Sequence, residues 1–159
     1  MALNPKPQPD RADVAPMALA LAEAERAGAS GEVPVGAVLV DKDGRVLAKA
    51  GNRVESLADP SAHAELLALR EAARVRGRPI LDDCDLYVTL EPCAMCAGAI
   101  SLARIRRLYF GAFDPKMGAV EHGPKFFRQP TCHHRPEVYG GIDESRAAAL
   151  LRGFFADRR

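Results

Sequence analysis

His63-Ala64-Glu65 and Pro92-Cys93-Ala94-Met95-Cys96 are the two stretches around which the rest of this 159-residue chain is read. Together they hold one imidazole and two thiols, donor types that bind zinc in structural and catalytic sites alike. A structural zinc closes its shell with four protein ligands, whereas a catalytic zinc takes three and keeps a position for water. Glu65, two residues after the histidine, suits the second kind, because a nearby carboxylate can handle that water's protons without binding the metal. His63, Cys93 and Cys96 are therefore the expected metal ligands and Glu65 the expected acid and base. Two other readings use fewer of these residues. A redox Cys-x-x-Cys accounts for Cys93 and Cys96 but leaves His63-Ala64-Glu65 without purpose. A closed structural site would recruit Cys84 or Cys132 as a fourth ligand. Otherwise Cys84 reads as a small buried residue beside a strand, and Cys132, next to His133 and His134, as surface or pocket lining.

The flanking segments alternate between helix and strand signals. Asp59-Pro60 offers an N-cap and a first-turn proline, so a helix is expected to open there. It would hold His63 and Glu65 in its first turns, pack through Leu66, Leu69 and Ala73, and end at Gly77 and Pro79. Asp85–Thr89 reads as a strand. Pro92 begins the next helix, Cys93 to Leu102, with Cys93 and Cys96 on one face. Both ligand stretches then sit at helix N-termini, where free N–H groups and the dipole favour thiolates. Upstream, Ala12–Ala27 reads as a helix stopped by Gly28, with Met17, Leu19, Leu21, Ala22 and Ala27 on its apolar side. Gly36–Val40 and Val46–Ala50 flank the turn Asp41-Lys42-Asp43-Gly44 and form a hairpin. Downstream, Arg107–Gly111 is a strand, 114–129 a loop without period, and Glu137–Tyr139 a short strand. Asp143–Asp157 is a final helix whose apolar side is Leu150, Leu151, Phe154 and Phe155. Strands alternating with helices make an α/β protein with right-handed crossovers where strands run parallel.

The length suits one domain, taken as 11–159, with room for a core. Residues 1–10 are Pro-rich and polar, without the basic start and apolar centre of a signal peptide, and read as a disordered lead-in. No apolar run approaches the roughly 20 residues of a membrane span. Four cysteines without an export signal point to the cytoplasm and not to a disulfide framework. The net charge of +1 leaves no basic footprint for a nucleic-acid partner. Basic residues are denser after residue 100, which alone reads as a solvated surface.

His-x-Glu followed by Pro-Cys-x-x-Cys is the signature of zinc-dependent nucleobase deaminases. Three longer segments resemble the bacterial tRNA-specific adenosine deaminases: Glu32-Val33-Pro34-Val35-Gly36-Ala37-Val38, Asp59-Pro60-Ser61-Ala62-His63-Ala64-Glu65, and Tyr87 through Ile100 with its Thr89-Leu90-Glu91-Pro92-Cys93 centre. The resemblance runs from Met17 to the C-terminus. It implies a three-layer α/β/α cytidine-deaminase-like fold with a central five-stranded mixed sheet. It also implies one Zn2+ per subunit, no organic cofactor, and a homodimer with its active site near the interface. The implied partner is the anticodon stem-loop of a tRNA, and the implied reaction is hydrolytic conversion of adenosine to inosine at wobble position 34 of an arginine tRNA.

By the same resemblance, Asn52 hydrogen-bonds the target base, the alternative being a turn residue. Val35, Ala64, Leu90 and Pro92 line the base pocket or belong to the core. Asp114 touches the ribose beside the flipped base or forms an Asp-Pro turn. Lys116, Phe126, Phe127, His133, His134 and Arg135 hold phosphates and stack bases, although adjacent phenylalanines are more often packing residues. Two places depart from the family. Ala58 stands where a histidine is usual, and His133-His134-Arg135-Pro136-Glu137-Val138 stands where Asn-His-Arg-Val is frequent. Both border the family's nucleic-acid groove and leave the zinc chemistry untouched. Two rivals remain beside this reading. One is a deaminase of free guanine, cytosine or a nucleoside on the same fold; the other is a non-catalytic RNA-binding module, against which Glu65 speaks.

Overall fold

A computed structural model describes residues 11–158, so the lead-in expected over 1–10 lies outside the described residues. Along the chain come α1 (Arg11–Ala29), β1 (Gly36–Val40), β2 (Val46–Gly51), the one-turn α2 (Val54–Leu57), α3 (Ala64–Arg76), β3 (Asp85–Leu90), α4 (Ala94–Ala103), β4 (Arg107–Ala112), β5 (Glu137–Gly140) and α5 (Glu144–Ala156). A single 3-10 turn, Phe126–Arg128, interrupts the long β4–β5 connection. The strands form one mixed sheet in the order β2-β1-β3-β4-β5. The β1–β2 hairpin and the β1–β3 pair are antiparallel; β3–β4 and β4–β5 are parallel. This is the α/β architecture with a five-stranded mixed sheet that the resemblance implied.

Strand β3 explains the layering. Its residues Asp85 to Thr89 are all buried although their side chains alternate between two faces. Leu86 and Val88 join Leu39, Ile100 and Phe110 in the core beneath α3 and α4. Tyr87 joins Val38, Tyr109 and residues of α1 and α5 in a second core. The parallel register sets Tyr87, Tyr109 and Tyr139 side by side, with ring centroids 4.4 and 5.0 Å apart. Alternation in β3 therefore separates one core from another, as in sheets covered on both faces.

Helix α1 lies so close to β1 that Gly36 has no room for a side chain. A Cβ there would stand 2.0 Å from the carbonyl oxygen of Ala20 and 2.6 Å from the nitrogen of Ala24. The helix does not stop at Gly28: it runs through to Ala29, and the chain turns at Gly31 with φ of 85°. Its buried face is Met17, Ala20, Leu21, Ala24 and Ala27, while Leu19 is 39% exposed and Ala22 only half-buried. In an alanine-rich helix several faces look equally apolar, so one leucine misleads.

The expected helix start at Asp59 is also corrected. Asp59 Oδ1 accepts from the backbone N–H and the hydroxyl of Ser61, closing a tight turn. Asp commonly satisfies local backbone in this way instead of capping a helix. Helix α3 begins at Ala64, with His63 as its N-cap residue and Gly77 as its left-handed C-cap. Its buried face is Ala64, Glu65, Ala68, Leu69 and Ala72, not the Leu66–Leu69–Ala73 row.

Glu32 holds the segment between β2 and that turn. Its Oε1 and Oε2 accept the backbone N–H groups of Glu55 and Ser56 at 2.9 and 2.8 Å. Those are first-turn donors of α2, which lack partners inside the helix. Burial pushes the Glu32 carboxyl up, but the two amides, helped by the Ser56 hydroxyl and Arg53, outweigh it and hold the group below the ordinary 4.5.

Two outcomes follow for stability. Gly36→Ala lowers stability by about 2 kcal/mol, read as a fall in thermal midpoint, because α1 must lift from β1. A carboxyl depressed in the folded state stabilises above its unfolded pKa, and the contribution is lost as pH falls through the folded value. Glu32→Gln therefore costs most near neutrality, and its deficit relative to wild type shrinks as pH drops below 4.5. Denaturant titrations from about pH 7 down to about pH 3 measure that convergence.

Candidate active site

His63 is the N-cap of α3 and Cys93 the N-cap of α4; Cys96 lies in the first turn of α4. The two helices pack on the same face of the sheet, which brings their N-termini together. Nδ1 of His63 stands 3.6 Å from Sγ of Cys93 and 3.6 Å from Sγ of Cys96. The three donor atoms all lie within 4.8 Å of one another. Zinc bonds of about 2.3 Å to sulfur and about 2.0 Å to nitrogen, at a tetrahedral angle, separate N from S by about 3.5 Å. The observed spacing fits one ion bound to all three, and an imidazole with two thiolates fits zinc in kind.

Neither remaining cysteine offers a fourth ligand. Cys84 is fully buried, its Sγ 3.4 Å from Asp83 Oδ1 and 3.7 Å from Arg76 Nη2. Burial pushes its thiol up to about 12. Cys132 was expected at the surface or in the pocket lining and is in neither: it is buried, donates to the His134 carbonyl at 3.1 Å and lies 3.5 Å from Ser101 Oγ. The Nε2 of His134 lies 2.7 Å from the Ile105 carbonyl, and His133 is exposed. Phe126 and Phe127 meet edge-on at 6.0 Å, and Phe127 belongs to the core, so this pair packs.

The three groups are linked to one another through hydrogen bonds. A hydrogen bond from Cys96 holds the Cys93 thiolate well below the usual thiol range, against burial and with help from His63. Cys96, as donor to Cys93 and buried, is pushed the other way. The Cys93 sulfur raises His63, partly offset by burial. Glu65 is only 4% exposed. Burial raises its carboxyl, while its own backbone N–H, His63 and Cys96 pull against that rise.

These groups open on a cavity of about 800 Å³ lined by His63, Glu65 and Cys93. Among the other expected residues, Val35, Asn52, Leu90, Asp114 and Lys116 also line it. Ala64 and Pro92 are buried and are not part of the lining. Asn52 Oδ1 accepts the Ala64 N–H at 2.9 Å, which turns the donor end of its carboxamide away from α3. Asp114 Oδ1 accepts the N–H groups of Lys116 and Met117 at 3.1 Å each, so the Asp-Pro turn is real and sits on the cavity wall.

Several lining residues had no role in the sequence reading. Glu32 and Glu91 belong to quoted motifs but carry no ligand-type spacing of their own. Phe113 follows β4, and Met117 comes from the aperiodic loop. Leu151, Phe154 and Phe155 come from α5 and Arg158 from the residues just after it, where its guanidinium carbon lies 3.4 Å from the Phe154 ring centroid. The sequence showed Phe154 and Phe155 only as part of the final helix's apolar side; in the structure they line the cavity, and Phe155 remains 51% exposed.

Comparison with known proteins agrees with this geometry. The cytidine and deoxycytidylate deaminase zinc-binding region matches residues 10–112. The tRNA-specific adenosine deaminase of Agrobacterium fabrum (strain C58) is 60% identical over 143 residues, covering 90% of this chain and 93% of that protein. A solved structure from studies of A-to-I editing by tRNA:A34 deaminases at the wobble position of transfer RNA is similar with a TM-score of 0.84. It shares 60% identity and covers 86% of this chain and 99% of its own. A guanine deaminase from Nitrosomonas europaea gives a TM-score of 0.80 at 25% identity, covering 96% of this chain and 90% of its own. Matched in sequence over most of its length and carrying the three-donor group with its neighbouring glutamate, the chain belongs to the tRNA-specific adenosine deaminases of the cytidine and deoxycytidylate deaminase zinc-binding family.

Proposed function

We propose that this protein converts adenosine to inosine by hydrolysis at wobble position 34 of a tRNA anticodon, an arginine tRNA by resemblance. Residues 11–159 act as one deaminase domain in a cytoplasmic homodimer with one zinc in each subunit and no organic cofactor. The observation that carries the reading is a buried glutamate beside a three-donor group that opens on a cavity instead of on a fourth protein ligand. Among the described residues no helix is long and apolar enough to cross a membrane.

Nδ1 of His63 and the sulfurs of Cys93 and Cys96 would hold zinc, whose Lewis acidity makes water nucleophilic near neutral pH. The remaining work belongs to the chain. Glu65 accepts a proton from the attacking water as the new C6–O bond forms and the ring electrons move to N1. It hands that proton to N1. The second water proton reaches the exocyclic amine by the same carboxylate, the C6–N bond breaks, ammonia leaves, and C6 keeps the oxygen as the inosine carbonyl. Such a shuttle needs a carboxyl that both takes and gives protons, and burial of Glu65 raises its pKa in that direction. Val35 and Leu90 offer apolar walls to a flat base. Ala64 acts through the N–H that orients Asn52, whose donor end meets the base. Asp114 keeps one carboxylate oxygen beyond those its turn uses, an acceptor for a ribose 2′-hydroxyl. The cavity continues past these residues to Lys116 and α5, which gives flanking nucleotides room and favours RNA over a free base.

Glu65→Ala is expected to slow inosine formation by about 10³-fold while zinc content stays at the wild-type level. Elemental analysis is expected to give one zinc per chain, a strong chelator to abolish activity and added zinc to restore it, and His63→Ala to lose the metal. Incubation with an anticodon stem-loop and with free guanine, cytosine and cytidine releases ammonia from the stem-loop only. Turnover of a free base with the stem-loop left intact would transfer the chain to the rival reading.

A further inference from the structure

Glu91 lies between β3 and Cys93, and its side chain has no exposure to solvent. Each of its oxygens is occupied. Oε1 accepts the backbone N–H of Asp114 at 3.1 Å and stands 2.8 Å from Nδ1 of His122. Oε2 accepts the N–H groups of Val120, Glu121 and His122 at 3.2, 3.0 and 3.1 Å. All five partners come from 114–122, a segment with neither helix nor strand. Buried backbone amides need an acceptor, and here one carboxylate takes the place of a neighbouring strand. The fit is tight on the loop side: a Cβ at Gly118 would lie 2.4 Å from Glu91 Oε2. The same loop carries Phe113, Asp114, Lys116 and Met117 to the cavity wall. Thus the two-residue link that leads into Cys93 also anchors the wall from which substrate is gripped.

We propose that Glu91 is a positioning residue of the reaction: its carboxylate holds the 113–117 wall in place against the His63–Cys93–Cys96 centre and so sets the grip on the nucleotides around the reacting base. Its side chain is buried, its carboxylate is taken up by the loop, and it acts through that loop. The inference rests on the reading of the chain as an RNA deaminase. A carboxylate is the required group because it only accepts. Glutamine has the same shape but turns one acceptor into a donor. Either the Asp114–His122 pair or the three amides on Oε2 then face another N–H, and those groups lose their partner. A wall that moves costs binding that ground and transition states share, which raises KM and leaves kcat nearly unchanged.

The test compares Glu91→Gln with Leu81→Ala, a fully buried core residue outside the cavity lining that serves as a control for general destabilisation. Zinc content, thermal midpoint, amide hydrogen exchange, and kcat and KM on an anticodon stem-loop are measured for both. In Glu91→Gln, zinc stays at the wild-type level and the amides of residues 114 and 120–122 exchange at least about tenfold faster. KM for the stem-loop rises at least about tenfold with kcat within about threefold. Leu81→Ala lowers the midpoint with KM within about twofold of wild type. Should Glu91→Gln fail to fold, Gly118→Ala disturbs the same contact from the loop side and gives the same KM signature. A KM in the folded variant no different from that of Leu81→Ala, unchanged exchange at those amides, or loss of zinc overturns the proposal. An inactive wild-type protein defeats the deaminase reading instead, and the exchange data still report separately on what Glu91 holds.

Discussion

Three donor atoms from two helix starts have to meet at one point, and most of the molecule serves that meeting. His63 and Cys93 are 30 residues apart in the chain. They converge because α3 and α4 pack on one face of the sheet through Ala68, Leu69, Ala97 and Ile100. Each helix presents its N-terminus to the site, so unsatisfied N–H groups and the positive end of the dipole favour the anionic sulfurs. The core provides the rigidity that keeps the two thiols and the imidazole at ligand spacing. Metal affinity in this fold is therefore partly a property of apolar packing well away from the ion.

Close approach of the layers is the second requirement. Alanines line the sheet-facing sides of α1 and α3, and Gly36 gives up its side chain so that α1 can rest on β1. The walls of the cavity cannot be built in the same way, because they are irregular backbone whose amides have no strand beside them. Two buried carboxylates fill that need. Glu32 captures the first-turn amides of α2, and Glu91 captures the amides of 114–122. In both, favourable hydrogen bonds to the charged form outweigh the cost of burying it, and both carboxyls lie below their ordinary range.

What could be read from sequence was whatever depends on near neighbours. The β1–β2 hairpin, β3, α4 and the ligand spacing all follow from residues within a few positions of one another. The misreadings have one source. Asp59-Pro60 has the composition of a helix start, but Ser61 offers the Asp59 carboxylate two donors at once and closes a turn there instead. Leu19 looks like core, yet α1 rests on its alanines because β1 comes so close. Glu32 and Glu91 hold partners 23 to 31 residues away, a separation at which local pattern carries no information. Likewise nothing near Phe154 or Arg158 shows that the end of α5 folds over the cavity; only the sheet order, with β4 and β5 beside β3, places it there.

The placement of α5 bears on how one centre serves different substrates. A guanine deaminase has nearly the same fold, so the sheet and the helix starts do not choose between a free base and a nucleotide within RNA. The difference has to reside in parts that leave the metal donors alone. Under the proposed reading those parts are Val54 and Glu55 of α2, the 113–117 loop and the end of α5, all of which line the cavity. None of them belongs to the sheet. Each is a short helix, a loop or a helix end, the kind of element that changes without disturbing a core. A catalytic centre locked by packing, surrounded by walls that are tethered through single carboxylates, separates the demands of chemistry from those of recognition. Under the proposed reading the chemistry fixes His63, Cys93, Cys96 and Glu65, whereas recognition falls to the segments that Glu32 and Glu91 hold.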